Sequence, residues 1–97
     1  MQSDLEWFCA WVAQHCDDEW EHGKAVALQM YDNPGWQLRV DLGNSSMASS
    51  GGARRKEGTP EDDRWLDCWI ENGVFHGDGD LTQLPRILSV FREWAQL

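Results

Sequence analysis

Two tight-turn signals, each set between runs of alternating apolar residues, constrain this chain more than any other feature. The first is Asp32-Asn33-Pro34-Gly35, in which Pro34 presets φ and Gly35 accepts a positive φ. Before it, Lys24 to Tyr31 carries Val26, Leu28 and Met30 on one side. After it, Trp36, Leu38, Val40 and Leu42 fall on one face, and Gln37, Arg39 and Asp41 on the other. The second signal is Asn72-Gly73, the preferred pair for a two-residue hairpin. It follows Leu66, Cys68 and Ile70, which share one face, and returns through Val74-Phe75-His76 until Gly77-Asp78-Gly79-Asp80 breaks the strand. A period of two is what a half-buried strand imposes, so two β-hairpins are predicted.

The ends of the chain follow the helical period instead. Ser3-Asp4-Leu5-Glu6 fits a capping box, and Leu5, Phe8, Cys9, Val12 and Cys16 then form an apolar stripe widened by Trp7 and Trp11. A helix over residues 4–16 is predicted. At the other end, Thr82 is placed to cap a helix that tolerates Pro85 in its first turn and buries Leu84, Ile87, Leu88, Phe91 and Ala95, with Trp94 beside them. The expected fold is α+β. It is a four-stranded antiparallel sheet made of two hairpins, with both helices on one face, in the order α-β-β-loop-β-β-α. Residues 43–64, rich in Gly and Ser and then in charge, are expected to be a flexible loop. Within it, Arg54-Arg55-Lys56 is taken as a solvated charge run. Trp65 and Trp69 share the face away from the helices, where they make a sticky patch unless the long loop or a dimer partner covers them.

Ninety-seven residues suit one domain, and seven tryptophans among 41% hydrophobic residues are enough for a core. The formal charge of −9 is unevenly spread. Residues 1–22 carry six carboxylates and no Lys or Arg, residues 23–64 balance at six of each sign, and residues 65–97 set five acidic against two basic. That sign opposes direct nucleic-acid binding and suits a basic protein partner. No apolar run approaches the roughly 20 residues that span a membrane, and the acidic N-terminus does not read as a signal peptide. Three cysteines without a CxxC point to a reducing, cytoplasmic setting.

The densest charge lies in Cys16-Asp17-Asp18-Glu19-Trp20-Glu21-His22, between the first helix and the first strand. Asp17, Asp18, Glu19 and Glu21 are the expected contacts for Lys or Arg of a partner, with Trp20 as an aromatic anchor. The competing role for Trp20 is to cap the core where helix meets sheet. Asp78 and Asp80 are candidates to extend the acidic face.

This stretch, together with Trp7 and Trp11, Asp32-Asn33-Pro34-Gly35-Trp36, Trp65 with Cys68, Phe75-His76-Gly77-Asp78-Gly79, and Leu84 through Trp94, resembles the immunity protein 53 family of bacterial polymorphic toxin systems. The resemblance implies an intracellular, non-catalytic inhibitor that binds a cognate toxin domain. An acidic binder would suit a basic toxin such as a nuclease. The family usually has Gly where this chain has Asp18.

Other chemistries have less behind them. Cys16, His22, Cys68 and His76 are zinc-ligand types, but no two are spaced as a recognised pair. Asp78-Gly79-Asp80 lacks the later ligands of a calcium loop. Cysteine nucleophiles want an electropositive setting, and Cys16 has four carboxylates beside it. No cofactor, metal or catalytic residue is therefore expected. The rival to toxin binding is a small adaptor that uses the Trp65/Trp69 face.

Overall fold

Serine at position 3 starts the first helix as the capping box requires. Its hydroxyl accepts the Glu6 N–H at 3.1 Å, and its own N–H donates to Glu6 Oε1 at 3.0 Å. The computed structural model describes residues 2–31, 34–43, 45–49 and 54–96. The elements are α1 (Asp4–His15), β1 (Val26–Tyr31), β2 (Gly35–Asp41), β3 (Arg54–Glu57), β4 (Leu66–Glu71), β5 (Val74–Gly79) and α2 (Leu84–Ala95). Short 3-10 turns occupy Trp20–His22 and Ser46–Ser49.

Both expected hairpins form: Leu28 pairs with Leu38 across β1 and β2, and Ile70 with Phe75 across β4 and β5. Asp32 and Asn33, of the first turn, lie outside the described residues. The sheet is antiparallel throughout, in the order β1-β2-β5-β4-β3. It has five strands rather than the expected four.

The added strand, β3, lies inside the stretch expected to be a structureless loop, and its sequence explains why apolar periodicity misses it. Arg54-Arg55-Lys56-Glu57 offers no apolar face, so ion pairs hold it on both sides. On the open side, Arg54 reaches Asp67 at 2.7 Å and lies over the Trp69 ring. On the helix side, Arg55 grips Glu93 through both nitrogens at 2.9 and 3.2 Å, and Glu57 meets Arg86. Each exposed pair is worth about 0.2–1 kcal/mol, so the strand stands on several together. Further back in the same stretch, the turn at Ser46–Ser49 buries Met47 in the core.

Helix α1 is rotated from its expected face. Phe8 and Trp11 are buried and Trp7 and Val12 pack beside them, while Leu5, Cys9 and Cys16 are exposed. The larger rings remove more area from water and so take the inward positions. From α2, Ile87, Leu88, Val90 and Phe91 are buried against Leu38, Val40, Leu66, Cys68, Ile70 and Phe75 of the sheet. Thr82 does not cap α2; Gln83 occupies that position without a capping bond from its side chain, and the Thr82 hydroxyl donates to Asp80.

Strand β5 also runs further than expected, through Gly77-Asp78-Gly79. The glycines do not break it; they face inward where α2 comes closest. A Cβ at Gly77 would collide with Ile87 Cγ2 and touch Phe75 Cε2, and one at Gly79 would lie 2.9 Å from Gln83 Cβ. Overpacking of this kind costs about 1–3 kcal/mol. Gly77→Ala is therefore expected to lower the melting temperature by at least about 4 °C in calorimetry, because the helix must lift off the strand to admit the methyl group.

Candidate functional site

The acidic stretch folds on its own carboxylates. After α1 ends at His15, Asp17 Oδ1 accepts the N–H groups of Glu19 at 3.0 Å and Trp20 at 2.9 Å. Glu21 reaches back, and its two oxygens accept the N–H groups of Asp17 and Asp18 at 2.8 Å each. Four backbone donors that a tight turn would leave bare are thus satisfied by two side chains. These bonds favour the charged forms. The Asp17 carboxyl is held below the usual range chiefly by the Trp20 N–H and then by that of Glu19. Glu21 is lowered by its own N–H and those of Asp17 and Asp18.

Trp20 faces the protein. Its indole N–H donates to the Asp41 carbonyl at 2.9 Å, and its ring meets Trp11 edge-on at 6.0 Å. Trp11 is stacked on His15 at 3.8 Å, and His15 Nδ1 donates to the Trp11 carbonyl. The half-buried indole thereby ties the acidic turn to the end of β2. That is the core-capping position, with the ring only partly buried. Around it lies an open depression of about 500 Å³, with His15, Asp17, Glu19 and Trp20 on one side and Gly43 and Ser45 on the other.

Asp18 and Glu19 differ from their neighbours. Both are exposed, and neither side chain accepts a hydrogen bond among the described residues. They are the two carboxylates of the stretch that take no part in folding the turn. Asp18 also has φ +74°, in the left-handed region. Glycine occupies that region without cost and aspartate with little, which accounts for the Gly that the family resemblance expects here.

Asp78 and Asp80 do not join this surface. The acidic turn is tied through Asp41 to the end of β5 that begins at Val74, whereas Asp78 lies four residues further along, about 13 Å. Both are buried, at 7% and 8% exposure. Asp78 pairs with Arg39 at 2.6 Å. Asp80 accepts the Trp65 N–H and both the N–H and hydroxyl of Thr82. Burial opposes ionisation of Asp80, but the Thr82 and Trp65 hydrogen bonds outweigh it and leave its pKa lowered.

The open sheet face is not a patch of two indoles. Trp65 is buried, with Glu57, Arg64, Gln83 and Arg86 around it. Trp69 is half-buried in a row that crosses four strands, Arg39-His76-Trp69-Arg54. Its ring stacks on His76 at 4.7 Å, with guanidinium carbons 5.5 and 5.2 Å from its centre. Sequence reasoning passed over this row, although the register set by Asn72-Gly73 puts Trp69 opposite His76.

Among the described residues, no three His, Cys, Asp or Glu side chains converge as they would around a metal ion. Cys68 is buried in the core, and burial pushes its thiol up to about 12, far from a thiolate nucleophile. Among the described residues, no helix is long and apolar enough to cross a membrane.

Two outcomes test this construction. Asp18→Val is expected to lower stability by about 1–2 kcal/mol in urea unfolding, because a β-branched side chain resists positive φ, whereas Asp18→Gly should not lower it. Acid should also act through the turn. The depressed pKa values of Asp17 and Glu21 give stability that is present above their ordinary values of 3.8 and 4.5 and is lost as pH falls through the lower folded values. Replacing Glu21 by Gln should flatten that part of the pH profile of the urea midpoint and leave the neutral-to-alkaline part unchanged.

Comparison with known proteins adds one finding. The searches of curated proteins and of solved structures gave no match. The family model described as immunity protein 53 matches residues 5–96, which takes in both helices, all five strands and the acidic turn. The chain belongs to the immunity protein 53 family.

Proposed function

We propose that this protein is a non-catalytic inhibitor that binds a cognate toxin domain inside the cell that makes it, and that the acidic turn Asp17–Glu21 meets basic residues of that toxin. The observation that carries the reading is the family match over residues 5–96. The shape of the turn supports the choice of surface. Asp17 and Glu21 fix the backbone, so Asp18 and Glu19 stand out from a preformed support. Little ordering entropy is then left to lose on binding. A formal charge of −9, with six carboxylates and no Lys or Arg in residues 1–22, would steer a basic partner toward this end. A nuclease, whose active site must attract phosphate, is one toxin class with the matching sign. Trp20 contributes by holding the turn in place, with its open edge beside the depression. Asp78 and Asp80 are left out of the surface because both are buried.

The test is a pull-down from the native host at low salt, followed by association kinetics with the recovered toxin domain. The variant pairs Asp18→Asn, which tolerates positive φ, with Glu19→Lys. Wild type should retain a basic toxin domain that is released as salt rises. The variant should associate at least about 10-fold more slowly at low salt with an unchanged melting temperature. Equal rates would move the contact away from the turn. Recovery of no toxin, although the toxin is expressed, would defeat the immunity reading itself.

A further inference from the structure

We propose that the toxin docks by strand addition: an extended segment of it, with alternating apolar residues and a basic flank, pairs with the free edge of β1. The inference rests on the toxin-binding reading above and extends it from a charged turn to a backbone interface.

The two edges of the sheet are built differently. Strand β3 closes one edge with Arg54-Arg55-Lys56-Glu57, four charged residues in a row. Charge is the usual guard against unwanted pairing at an exposed edge. Strand β1 ends the other side with Val-Ala-Leu-Gln-Met-Tyr, which has no charge, no proline and an unbroken register against β2 from Val26 to Tyr31. That edge has none of the usual guards.

Its side chains are also uncovered. Val26, Leu28 and Met30 pair with Val40, Leu38 and Trp36 and so share the helix-side face. Leu38 and Val40 are buried at 3% and 0% exposure, whereas Val26, Leu28 and Met30 stand at 37%, 48% and 62%. Burial on this face reaches β2 and stops short of β1. The same three residues hold the unpaired backbone. The Ala25 carbonyl accepts the Asp41 N–H, so alternation along the antiparallel ladder turns Ala27 and Gln29 toward β2 and leaves the N–H and C=O groups of Val26, Leu28 and Met30 pointing outward. The residues that present unpaired backbone groups at the edge of the sheet therefore also carry the exposed apolar side chains standing beside it, the combination that strand addition uses.

Charge selects the occupant. The acidic turn leads into β1 through residues 23–25, and Trp20 ties it to Asp41, whose N–H meets the Ala25 carbonyl just before the strand. The charge of the turn therefore belongs to this end of the sheet and favours an incoming strand with Lys or Arg there. A second copy of this chain would bring its own charge of −9 to the contact, which opposes self-pairing.

The test uses the toxin domain recovered from the native host and follows amide exchange and affinity together. Binding should slow exchange at Val26, Leu28 and Met30 and leave the β3 amides unchanged. Leu28→Pro removes an outward N–H without removing a bond to β2, and proline is tolerated at edge positions of this kind. It should weaken toxin binding by about 30-fold or more at an unchanged melting temperature. If that variant does not fold, Leu28→Lys at the same half-exposed position should give the same loss. Toxin binding with β1 exchange and Leu28 variants unaffected overturns strand addition and leaves the immunity reading intact. A doubling of mass, with β1 protected in the absence of toxin, overturns it in favour of a second copy. No toxin binding at all overturns both readings.

Discussion

Phe91 is the contact on which the rest of the fold depends. Its ring is met edge-on by Trp7, Phe8 and Trp11 of α1 and by Phe75 of β5, at centroid distances of 6.0, 5.3, 5.0 and 5.0 Å. One side chain of α2 thus joins the other helix to the central strand. Edge-to-face pairs add about 0.5–1.5 kcal/mol each beyond their buried area, and they also fix orientation. Around this hub, Arg92 binds Asp4 and the Gln2 carbonyl and lies over Trp7, so the helix pair is clamped at its surface as well as its centre. The absence of side chains at Gly77 and Gly79 lets α2 lie close against β5, the strand whose Phe75 meets Phe91.

The same hub governs the acidic turn. Trp11 touches Phe91 on one side and Trp20 on another, and Trp20 bonds to Asp41 at the end of β2. A carboxylate-rich loop would ordinarily be held apart by self-repulsion. Here two of its carboxylates are spent on backbone N–H groups, and its one large apolar side chain is anchored to the core. The position of Asp18 and Glu19 is therefore set by core packing, although neither belongs to the core.

The sequence showed what short-range rules can show. Both hairpins, the capping box and the buried stripe of α2 follow from turn chemistry and periodicity, and the acidic stretch was visible as composition. What it hid depended on contacts between distant residues. Strand β3 was hidden because ion pairs to Asp67, Glu93 and Arg86 replace an apolar face. The face of α1 was misjudged because counting apolar positions gives Leu5 and Cys9 the same weight as Phe8 and Trp11. Gly77 and Gly79 looked like breakers because only the approach of α2 gives them a use. Asp78 and Asp80 looked like surface charge until Arg39, Thr82 and the Trp65 N–H were found around them.

The unlike edges of the sheet also limit how the molecule can grow. A sheet with two open edges has a valence of two, and strand-on-strand pairing can then propagate into a filament. Here the charges of β3 guard one edge, and among the described residues β1 is the edge left to pair. Whatever occupies β1 uses up the unguarded valence of the sheet. Assembly by this route is thereby biased toward a single partner, because the second edge that a polymer needs is the charged one.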